Sequence, residues 1–382
     1  MINYKEIIDN YQTPLYIFDI DKLRDRISYL RQKLTNSNIV YAVKANTFIV
    51  KEIEDIVDRY EICSGGEFDI CNGVNIDYQK MVISGVYKDE PTIDKIMQSG
   101  DILKYTIESM EQYKLLEKLA DKYNKDIHVL IRLTSNNQFG VNEEEFKYII
   151  KNHKRLIIDG LEYFSGTQKT SLKKVNREVD YINEFVTDVE TNLGFEIKEI
   201  EYGPGLPVHY FQDEEFDEEE FLNELNSALD RLKHKELSLE IGRGIAASCG
   251  YYLTKVVDMK TNKNGNYVIV DGGINHLVYY GQTMAMRIPH YEVYPKREEP
   301  EENYNIYGSL CTINDIIVKN INTNKLELGD VFIFKNVGAY SSTEGISLFL
   351  SRALPGVALY KDSKLVIVRN NRETSDINYP NY

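Results

Sequence analysis

The most constraining feature of this sequence is a regular alternation, from residue 39 to residue 241, between short β-branched runs and charged segments with helical periodicity. The runs predicted to be strands are Ile39–Val43, Tyr60–Cys63, Lys80–Ser84, Leu103–Ile107, Ile127–Leu133, Ile157–Phe164, Ile197–Tyr202 and Leu237–Ile241. Between them, Ser109–Tyr123 and Leu172–Leu193 have helical spacing. Eight strands alternating with helices predict an α/β fold, a (β/α)8 TIM barrel. Periodicity alone leaves a doubly wound open sheet as the alternative.

The sequence pattern changes after about Cys249, where β-rich runs are joined by turn segments. The predicted strands here are Tyr251–Val257, Tyr267–Val270, Asp315–Lys319, Val331–Lys335 and Lys364–Val368. Pro14–Asp19 is also strand-like, and the acidic stretch Arg297–Asn303 is predicted to be a solvated loop. We therefore expect a barrel over residues 22–250, and a β-rich domain formed by 1–21 and 251–382.

Composition excludes several classes of function. The chain has 382 residues and a net charge of −15, which disfavours binding to nucleic acid or to an anionic membrane surface. No apolar run approaches the about 18 residues needed to span a bilayer, and the polar start of the chain does not resemble a signal peptide. A cytoplasmic location is expected. The four cysteines and six histidines predict neither a disulfide framework nor a metal site.

Lys44 is the strongest candidate for a catalytic residue. It follows the predicted strand Ile39–Val43 directly, where that strand must end. Burial lowers the pKa of an amine and makes it a usable nucleophile. Lysines placed in this way form Schiff bases with carbonyl compounds, above all with pyridoxal 5'-phosphate (PLP). Taken alone, Lys44 would be read as a surface lysine that closes a strand.

A barrel places its active site at the carboxyl ends of the strands, with a phosphate site after the seventh and eighth. In this chain those two ends read Gly203-Pro204-Gly205 and Glu240-Ile241-Gly242-Arg243-Gly244. The glycines allow backbone N–H groups to approach a phosphate, and Arg243 can add charge-assisted hydrogen bonds. Glu240 is suited to keep the pyridine nitrogen of PLP protonated. An ordinary turn and a structural pair between Glu240 and Arg243 remain the alternatives.

Together these residues resemble the fold-type III PLP decarboxylases, the family of diaminopimelate and ornithine decarboxylases, over nearly the whole chain. The segments that carry the resemblance are Tyr41-Ala42-Val43-Lys44-Ala45-Asn46, Ser64-Gly65-Gly66-Glu67, Phe139-Gly140-Val141, Gly203-Pro204-Gly205, Glu240-Ile241-Gly242-Arg243, Gly308-Ser309-Leu310-Cys311 and Gly338-Ala339-Tyr340. The resemblance implies an alanine-racemase-like barrel, PLP as cofactor, and a homodimer with two shared active sites.

The resemblance also assigns roles to individual residues. It makes Lys44 and Cys311 catalytic, with Cys311 acting as proton donor in the partner subunit's site; by itself, Cys311 would be read as a core thiol. The residues assigned to the cofactor are Lys44, Glu67, Arg132, Phe164, Gly166, Thr167, Gly203, Gly205, Glu240, Gly242, Arg243 and Tyr340. The residues assigned to the substrate are Arg243, Asn275, His276, Tyr280, Arg287 and Thr312.

Three departures from the family pattern bear on the substrate. Phe164 stands where the family has a histidine that stacks on the cofactor ring; phenylalanine can stack, but it cannot hydrogen-bond or titrate. Thr312 replaces the acid that reads a distal ammonium in the diaminopimelate and ornithine enzymes. The arginine that grips the distal carboxylate of diaminopimelate is absent after Asp271-Gly272-Gly273-Ile274-Asn275, and Arg287 is the nearest cation.

These departures resemble a biosynthetic branch that acts on glutamyl groups tethered to an acyl-carrier protein, and they predict a decarboxylase of that kind. The charge of −15 opposes an acidic carrier unless a basic patch exists, and Lys169, Lys173 and Lys174 are the candidates, although a solvated helix face is the simpler interpretation. The alternatives are a decarboxylase of diaminopimelate or another free amino acid, and a PLP-family pseudoenzyme with a regulatory role. A racemase is disfavoured by Glu240, since the racemases of this barrel are expected to have arginine at the pyridine nitrogen.

Overall fold

The computed structural model describes residues 2–232, 234–298 and 300–380. The strands are β1 Leu15–Asp19, β2 Asn38–Ala42, β3 Arg59–Ile62, β4 Met81–Ile83, β5 Lys104–Ile107, β6 Ile127–Arg132, β7 Leu156–Phe164, β8 Glu199–Gly203, β9 Glu236–Ile241, β10 Gly250–Asn262, β11 Gly265–Val270, β12 Tyr291–Tyr294, β13 Glu301–Tyr307, β14 Ile316–Asn324, β15 Val331–Lys335, β16 Gly356–Lys361 and β17 Lys364–Arg369. The helices are α1 Tyr4–Asn10, α2 Ile20–Lys33, α3 Gly65–Gly73, α4 Glu90–Ser99, α5 Met110–Lys122, α6 Glu143–Asn152, α7 Leu172–Leu193, α8 Glu218–Leu229, α9 Arg243–Ala246 and α10 Ser375–Asn378.

The chain divides into two compact units. One consists of the residues up to Asp25, Val208–Phe216 and the residues from Ala246 onward; the other consists of Arg26–Pro207 and Asp217–Ile245. The domain boundaries predicted from the sequence lie at residues 21/22 and 250/251. The short segment Val208–Phe216 was expected in the barrel and groups with the β-rich unit.

The unit formed by Arg26–Pro207 and Asp217–Ile245 is a closed barrel. Its strands β2 to β9 follow one another in chain order, each parallel to the next. The predicted (β/α)8 barrel is therefore confirmed, and the open-sheet alternative is wrong. Buried β-branched and aromatic residues build the strands, and capped helices connect them. Ser109 caps α5 by accepting a hydrogen bond from the Gln112 N–H, and Asn142 forms a capping box with Glu145 at α6.

The other unit, which contains the residues from Ala246 onward, is a mainly β structure, as predicted. Its sheet has the order β14-β13-β11-β10-β1-β16-β17, with β15 paired to β10 and β12. The N-terminal strand β1 lies within this sheet, antiparallel to β10 and parallel to β16. A buried cluster that includes Ile17, Leu253 and Ile333 packs against this part of the sheet.

The acidic stretch Arg297–Asn303 was predicted to be a solvated loop. Arg297 and Glu298 do lie outside strands and helices, but the prediction is wrong for Glu301–Asn303. Glu301–Asn303 form the first part of β13 and pair with β14. Arg297 donates hydrogen bonds to the buried carboxylate of Asp330, at 2.6 and 2.8 Å. The strand is not evident from the sequence because the side chains of Glu301–Asn303 face solvent, while their backbone pairs with β14.

Candidate active site

Lys44 lies in a short turn, Val43–Ala45, that begins where β2 ends. Its Nζ is 2.7 and 3.0 Å from the two carboxylate oxygens of Glu61, and 3.2 Å from Oε1 of Glu240. The two acids come from β3 and β9, the strands that flank β2 in the barrel. The side chain of Lys44 is 36% exposed, whereas those of Glu61 and Glu240 are 2% and 5% exposed. An accessible amine is thus held between two buried carboxyl groups.

The two carboxyl groups differ in protonation. Burial acts to raise the pKa of Glu61, but the Lys44 ammonium and hydrogen bonds from Glu240 and Cys63 lower it to about 2. Burial and the neighbouring Glu61 charge raise the pKa of Glu240 well above its ordinary value. Two acids that share one site cannot both ionise easily. The opposite directions of the two pKa shifts favour Glu61 as the anion that pairs with Lys44, with a proton on Glu240.

Further buried acids line the barrel next to this pair. Arg132 on β6, Glu162 on β7 and Glu201 on β8 are register neighbours across three adjacent strands. Arg132 donates to Glu108 at 2.9 Å, and its Nε lies 3.4 Å from Glu162. Both carboxylate oxygens of Glu201 are buried and have no hydrogen-bond partner among the residues that the structure describes. Burial therefore raises the pKa of Glu201 well above its ordinary value, inside the barrel next to the Lys44 site.

Glu162 provides a test of this arrangement through stability. Burial raises its pKa from 4.5 to about 7, opposed by Arg132 and reinforced by Glu108 and Glu61. Its stabilising contribution is complete below the unfolded pKa and is lost as the pH rises through the folded pKa. Glu162→Gln should remove up to about 3 kcal/mol of this pH dependence between pH 4.5 and 7. Urea unfolding of the cofactor-free protein at several pH values measures it; equal slopes in variant and parent would contradict the prediction.

Phe164 ends β7 and lies against the end of β8. A Cβ on Gly203 would overlap the Phe164 ring, so glycine at this position allows the ring to lie on the strand. Gly205 has φ +60°, and a Cβ there would overlap the carbonyl oxygen of Gly166. The Gly166 turn and the Gly203–Gly205 turn therefore approach each other through backbone alone. Thr167 follows Gly166 and is half-buried.

The remaining barrel residues assigned to the cofactor have defined positions. Ser64 caps α3, and Glu67 accepts a hydrogen bond from the Cys63 N–H at 2.8 Å. The guanidinium of Arg132 lies 4.8 Å from the Phe139 ring centre and 5.9 Å from that of Phe164. Gly242 and the buried Arg243 follow β9, with Arg243 beginning α9.

In the β-rich unit, Cys311 is exposed, which is not the environment of a core thiol. Its loop is fixed by the buried side chain of Asp315, which accepts hydrogen bonds from the Ile274 N–H at 2.8 Å and the Leu310 N–H at 2.7 Å. Thr312, next to the cysteine, is half-buried. Asp315 thereby joins the Cys311 loop to the 271–275 loop.

The other residues of this unit that are assigned to the substrate or cofactor differ in how deeply they are buried. His276 is buried with Asn275, and its Nδ1 lies 3.1 Å from the Tyr252 hydroxyl; burial lowers the pKa of His276 to about 4. Tyr280 is 46% exposed. Tyr340 has φ +65° and is half-buried.

Arg287 is engaged by acids of its own unit. It forms ion pairs with Asp213 and with Glu214, each at 2.9 Å. Its guanidinium also lies 4.2 Å from the centre of the Phe211 ring. A substrate carboxylate would have to compete with two carboxylates already in place.

Sequence reasoning missed four buried acids of the barrel site: Glu61, Glu108, Glu162 and Glu201. Three of them lie within predicted strands and carried a usable signal. An acid in an otherwise apolar barrel strand points to the buried interior, where only a functional or paired charge is tolerated. Glu162 and Phe164 also stand two residues apart on one strand, so they share a face.

The barrel site fits PLP. An accessible lysine amine and a proton-holding buried carboxyl group lie side by side, as an aldehyde-bearing pyridine cofactor requires. A flat aromatic ring ends β7, next to two glycine turns at which an added Cβ would overlap the Phe164 ring or the Gly166 carbonyl. The donor set therefore matches a ring, an aldehyde and a phosphate.

Comparison with known proteins agrees with this chemistry. Residues 15–338 match the family described as pyridoxal-dependent decarboxylase, C-terminal sheet domain. The chain is 25% identical over 363 residues to the diaminopimelate decarboxylase of Aquifex aeolicus, which covers 89% of this chain and 84% of that protein. It is 26% identical over 403 residues to the L-glutamyl-(BtrI acyl-carrier protein) decarboxylase of Niallia circulans, which covers 96% and 93%.

Solved structures share the fold. The diaminopimelate decarboxylase of M. jannaschii, in complex with L-lysine, has a TM-score of 0.87 at 23% identity and covers 98% of this chain and 93% of its own. The lysine/ornithine decarboxylase of Vibrio vulnificus, complexed with cadaverine, has a TM-score of 0.80 at 20% identity and covers 90% and 94%.

The chain belongs to the pyridoxal-dependent decarboxylase family. It is a PLP-dependent carboxy-lyase that acts on an amino acid. The pseudoenzyme alternative is thereby set aside. Among the described residues, no helix is both long and apolar enough to cross a membrane.

Proposed function

We propose that this enzyme removes the α-carboxylate of a free amino acid, with diaminopimelate as the first substrate to test. The observation that carries the reaction is the amine of Lys44 held between Glu61 and Glu240. The relatives named diaminopimelate decarboxylase, from Aquifex aeolicus and Bacteroides thetaiotaomicron among others, support the substrate. They support this alternative better than the carrier-bound substrate predicted from the sequence.

Each residue has a defined task in this proposal. Lys44 holds the cofactor aldehyde, Phe164 stacks on the ring, and Glu240 holds a proton at the pyridine nitrogen. The turns at Gly166–Thr167 and Gly203–Gly205, with Arg243, receive the phosphate. When bound, PLP supplies an electron sink. It would accept the electron pair that is released when the bond from Cα to the carboxylate breaks and CO2 leaves.

Cys311 completes the reaction by protonating Cα. Cys311→Ala should lower kcat by about 100-fold or more, as expected for loss of a general acid, while the affinity for PLP stays unchanged. The product released and the PLP affinity are measured separately. A parallel loss of both would contradict the assignment, because it would make Cys311 part of the cofactor site.

The shared active site implies a homodimer, and the β-rich unit offers a surface for it. Ile313 is 89% exposed beside Cys311, and Ile346, Leu348 and Leu350 are also exposed. Exposed apolar side chains are candidates for burial at an interface, and we propose these for the homodimer contact.

Complementation tests the shared site. Lys44→Ala and Cys311→Ala, each inactive alone, should regain on the order of a quarter of parental activity when subunits are mixed equally, because half the dimers are mixed and each has one intact site. Sedimentation verifies the dimer. Failure to regain activity in verified mixed dimers would contradict shared sites.

A glutamyl group on a carrier protein is the second candidate substrate. The engagement of Arg287 by Asp213 and Glu214 favours it, because a tethered substrate has no free distal carboxylate to bind. The burial of Lys169 works against it, since that lysine is removed from the candidate carrier-binding patch. Lys173 and Lys174 remain.

A substrate panel separates the two candidates. CO2 release by the PLP-loaded enzyme is measured with free diaminopimelate, lysine, ornithine, arginine and glutamate, and with aminoacyl carrier-protein thioesters. We expect turnover on a free diamino acid. Turnover on a thioester alone would overturn the proposed substrate and retain the reaction.

A further inference from the structure

Lys169 is buried between the two turns of the proposed phosphate site. It was expected on a solvated helix face, and this is wrong: the residue is 4% exposed. It precedes α7, and its Nζ donates to Glu178 Oε2 at 2.8 Å and to the Gly203 carbonyl at 2.9 Å. The Tyr202 hydroxyl donates to the same Glu178 oxygen at 2.6 Å.

The contacts of this ion pair reach both turns. The Lys169 backbone N–H donates to the Gly205 carbonyl at 2.9 Å, which joins the chain after Gly166 to the end of the second turn. The Ser165 hydroxyl donates to the other oxygen of Glu178. One buried Lys–Glu pair therefore fixes the Ser165–Gln168 turn against the Gly203–Gly205 turn.

The cluster also carries a net positive charge. Lys174, on the first turn of α7, places its Nζ 3.9 Å from Glu178 Oε1 and 3.4 Å from the Ser165 carbonyl oxygen. Two ammonium groups thus face one carboxylate. The Lys174 side chain is 45% exposed, so solvent screens part of its charge, whereas the charge of the buried Lys169 is screened less.

Phe164 gives the cluster a further context. The Lys169 ammonium lies 5.9 Å from the centre of the Phe164 ring and 5.0 Å from that of Tyr202. A buried cation therefore lies near the aromatic ring that ends β7.

We propose that Lys169 is a positioning residue for the cofactor phosphate: paired with Glu178, its ammonium holds the two glycine turns together and, with Lys174, gives them a positive charge. The proposal rests on the proposed function, which puts the phosphate at these turns. No such role follows from Lys44 or Glu240, which act on the aldehyde and the ring.

The test compares PLP with pyridoxal, which has the same ring and aldehyde but no phosphate. Both are titrated calorimetrically into cofactor-free protein. Lys169→Met should raise the Kd for PLP at least about tenfold, equivalent to about 1.4 kcal/mol, because the turns lose the ion pair that holds them together. It should change the Kd for pyridoxal less than about twofold. Lys173→Met, at an exposed lysine of the same charge run, should change neither.

A second variant keeps the test decisive if an unpaired Glu178 prevents folding. Lys169→Met/Glu178→Gln removes both charges and should show the same selective loss of PLP affinity. Equal weakening of PLP and pyridoxal, or no change in either, would overturn the role of Lys169. If the parent binds pyridoxal as tightly as PLP, the phosphate site itself is wrong, and that outcome is distinguishable from failure of Lys169 alone.

Discussion

Replacement of Lys44 by alanine is expected to abolish decarboxylation, with kcat falling at least about 1,000-fold, equivalent to about 4 kcal/mol of transition-state stabilisation. Lys44 Nζ is the amine placed between Glu61 and Glu240 at the end of β2. Without it, the aldehyde of PLP has no covalent attachment, and the release of product loses its nucleophile. The variant should also lose the absorbance band of the bound cofactor.

Lys51→Ala is the matched control for this experiment. Lys51 lies seven positions further along the chain, is 49% exposed, and pairs with Glu54 on the surface. The control should keep turnover and the cofactor band. Undiminished turnover in Lys44→Ala would contradict the whole account of the site.

Glu240→Gln is expected to have the second largest effect, a fall in kcat of about 100-fold with PLP still bound. Glu240 holds a proton in the buried barrel, because burial and Glu61 raise its pKa well above the ordinary value. A glutamine of the same shape fills the space but cannot give a proton to the pyridine nitrogen or pair with it once charged. The electron sink is then weakened while the fold is retained.

Glu236→Gln, on the same strand, controls for the loss of a charge on β9. Glu236 begins β9 and its side chain is 54% exposed, paired with Arg59. It should leave kcat unchanged. Equal kcat values for Glu240→Gln and the parent would show that Glu240 does not protonate the ring.

The barrel was predictable because its signal is local. Each of its strands is a short β-branched run, and the two helices predicted from periodicity, Ser109–Tyr123 and Leu172–Leu193, correspond to α5 and α7. The prediction of Lys44 as a strand-end lysine also used only adjacent residues. In the β-rich unit, β12, β13 and β16 escaped prediction. The exposed acids at the start of β13 resemble a loop, whereas β16 is a mostly buried apolar run that carried a usable signal.

The missed parts of the site depend on pairs that lie far apart in the chain. Glu61 acquires its role from Lys44, which precedes it by 17 positions, and from Glu240, which reaches the same amine across the barrel closure between β2 and β9. Lys169 is buried because Glu178 and the Gly203 carbonyl both bind its ammonium. The cluster of lysines around it had predicted a solvated helix face, which is wrong for Lys169. Local charge patterns do not reveal such partners.

This enzyme is expected to remove the α-carboxylate and to leave a proton at Cα. The most direct test is the reaction of PLP-loaded enzyme with carboxyl-labelled diaminopimelate in deuterated water, followed by mass spectrometry. We expect labelled CO2 and lysine with one deuterium at Cα. Recovered diaminopimelate that has gained deuterium and kept its labelled carboxylate, with no CO2, would contradict this expectation and indicate a racemase.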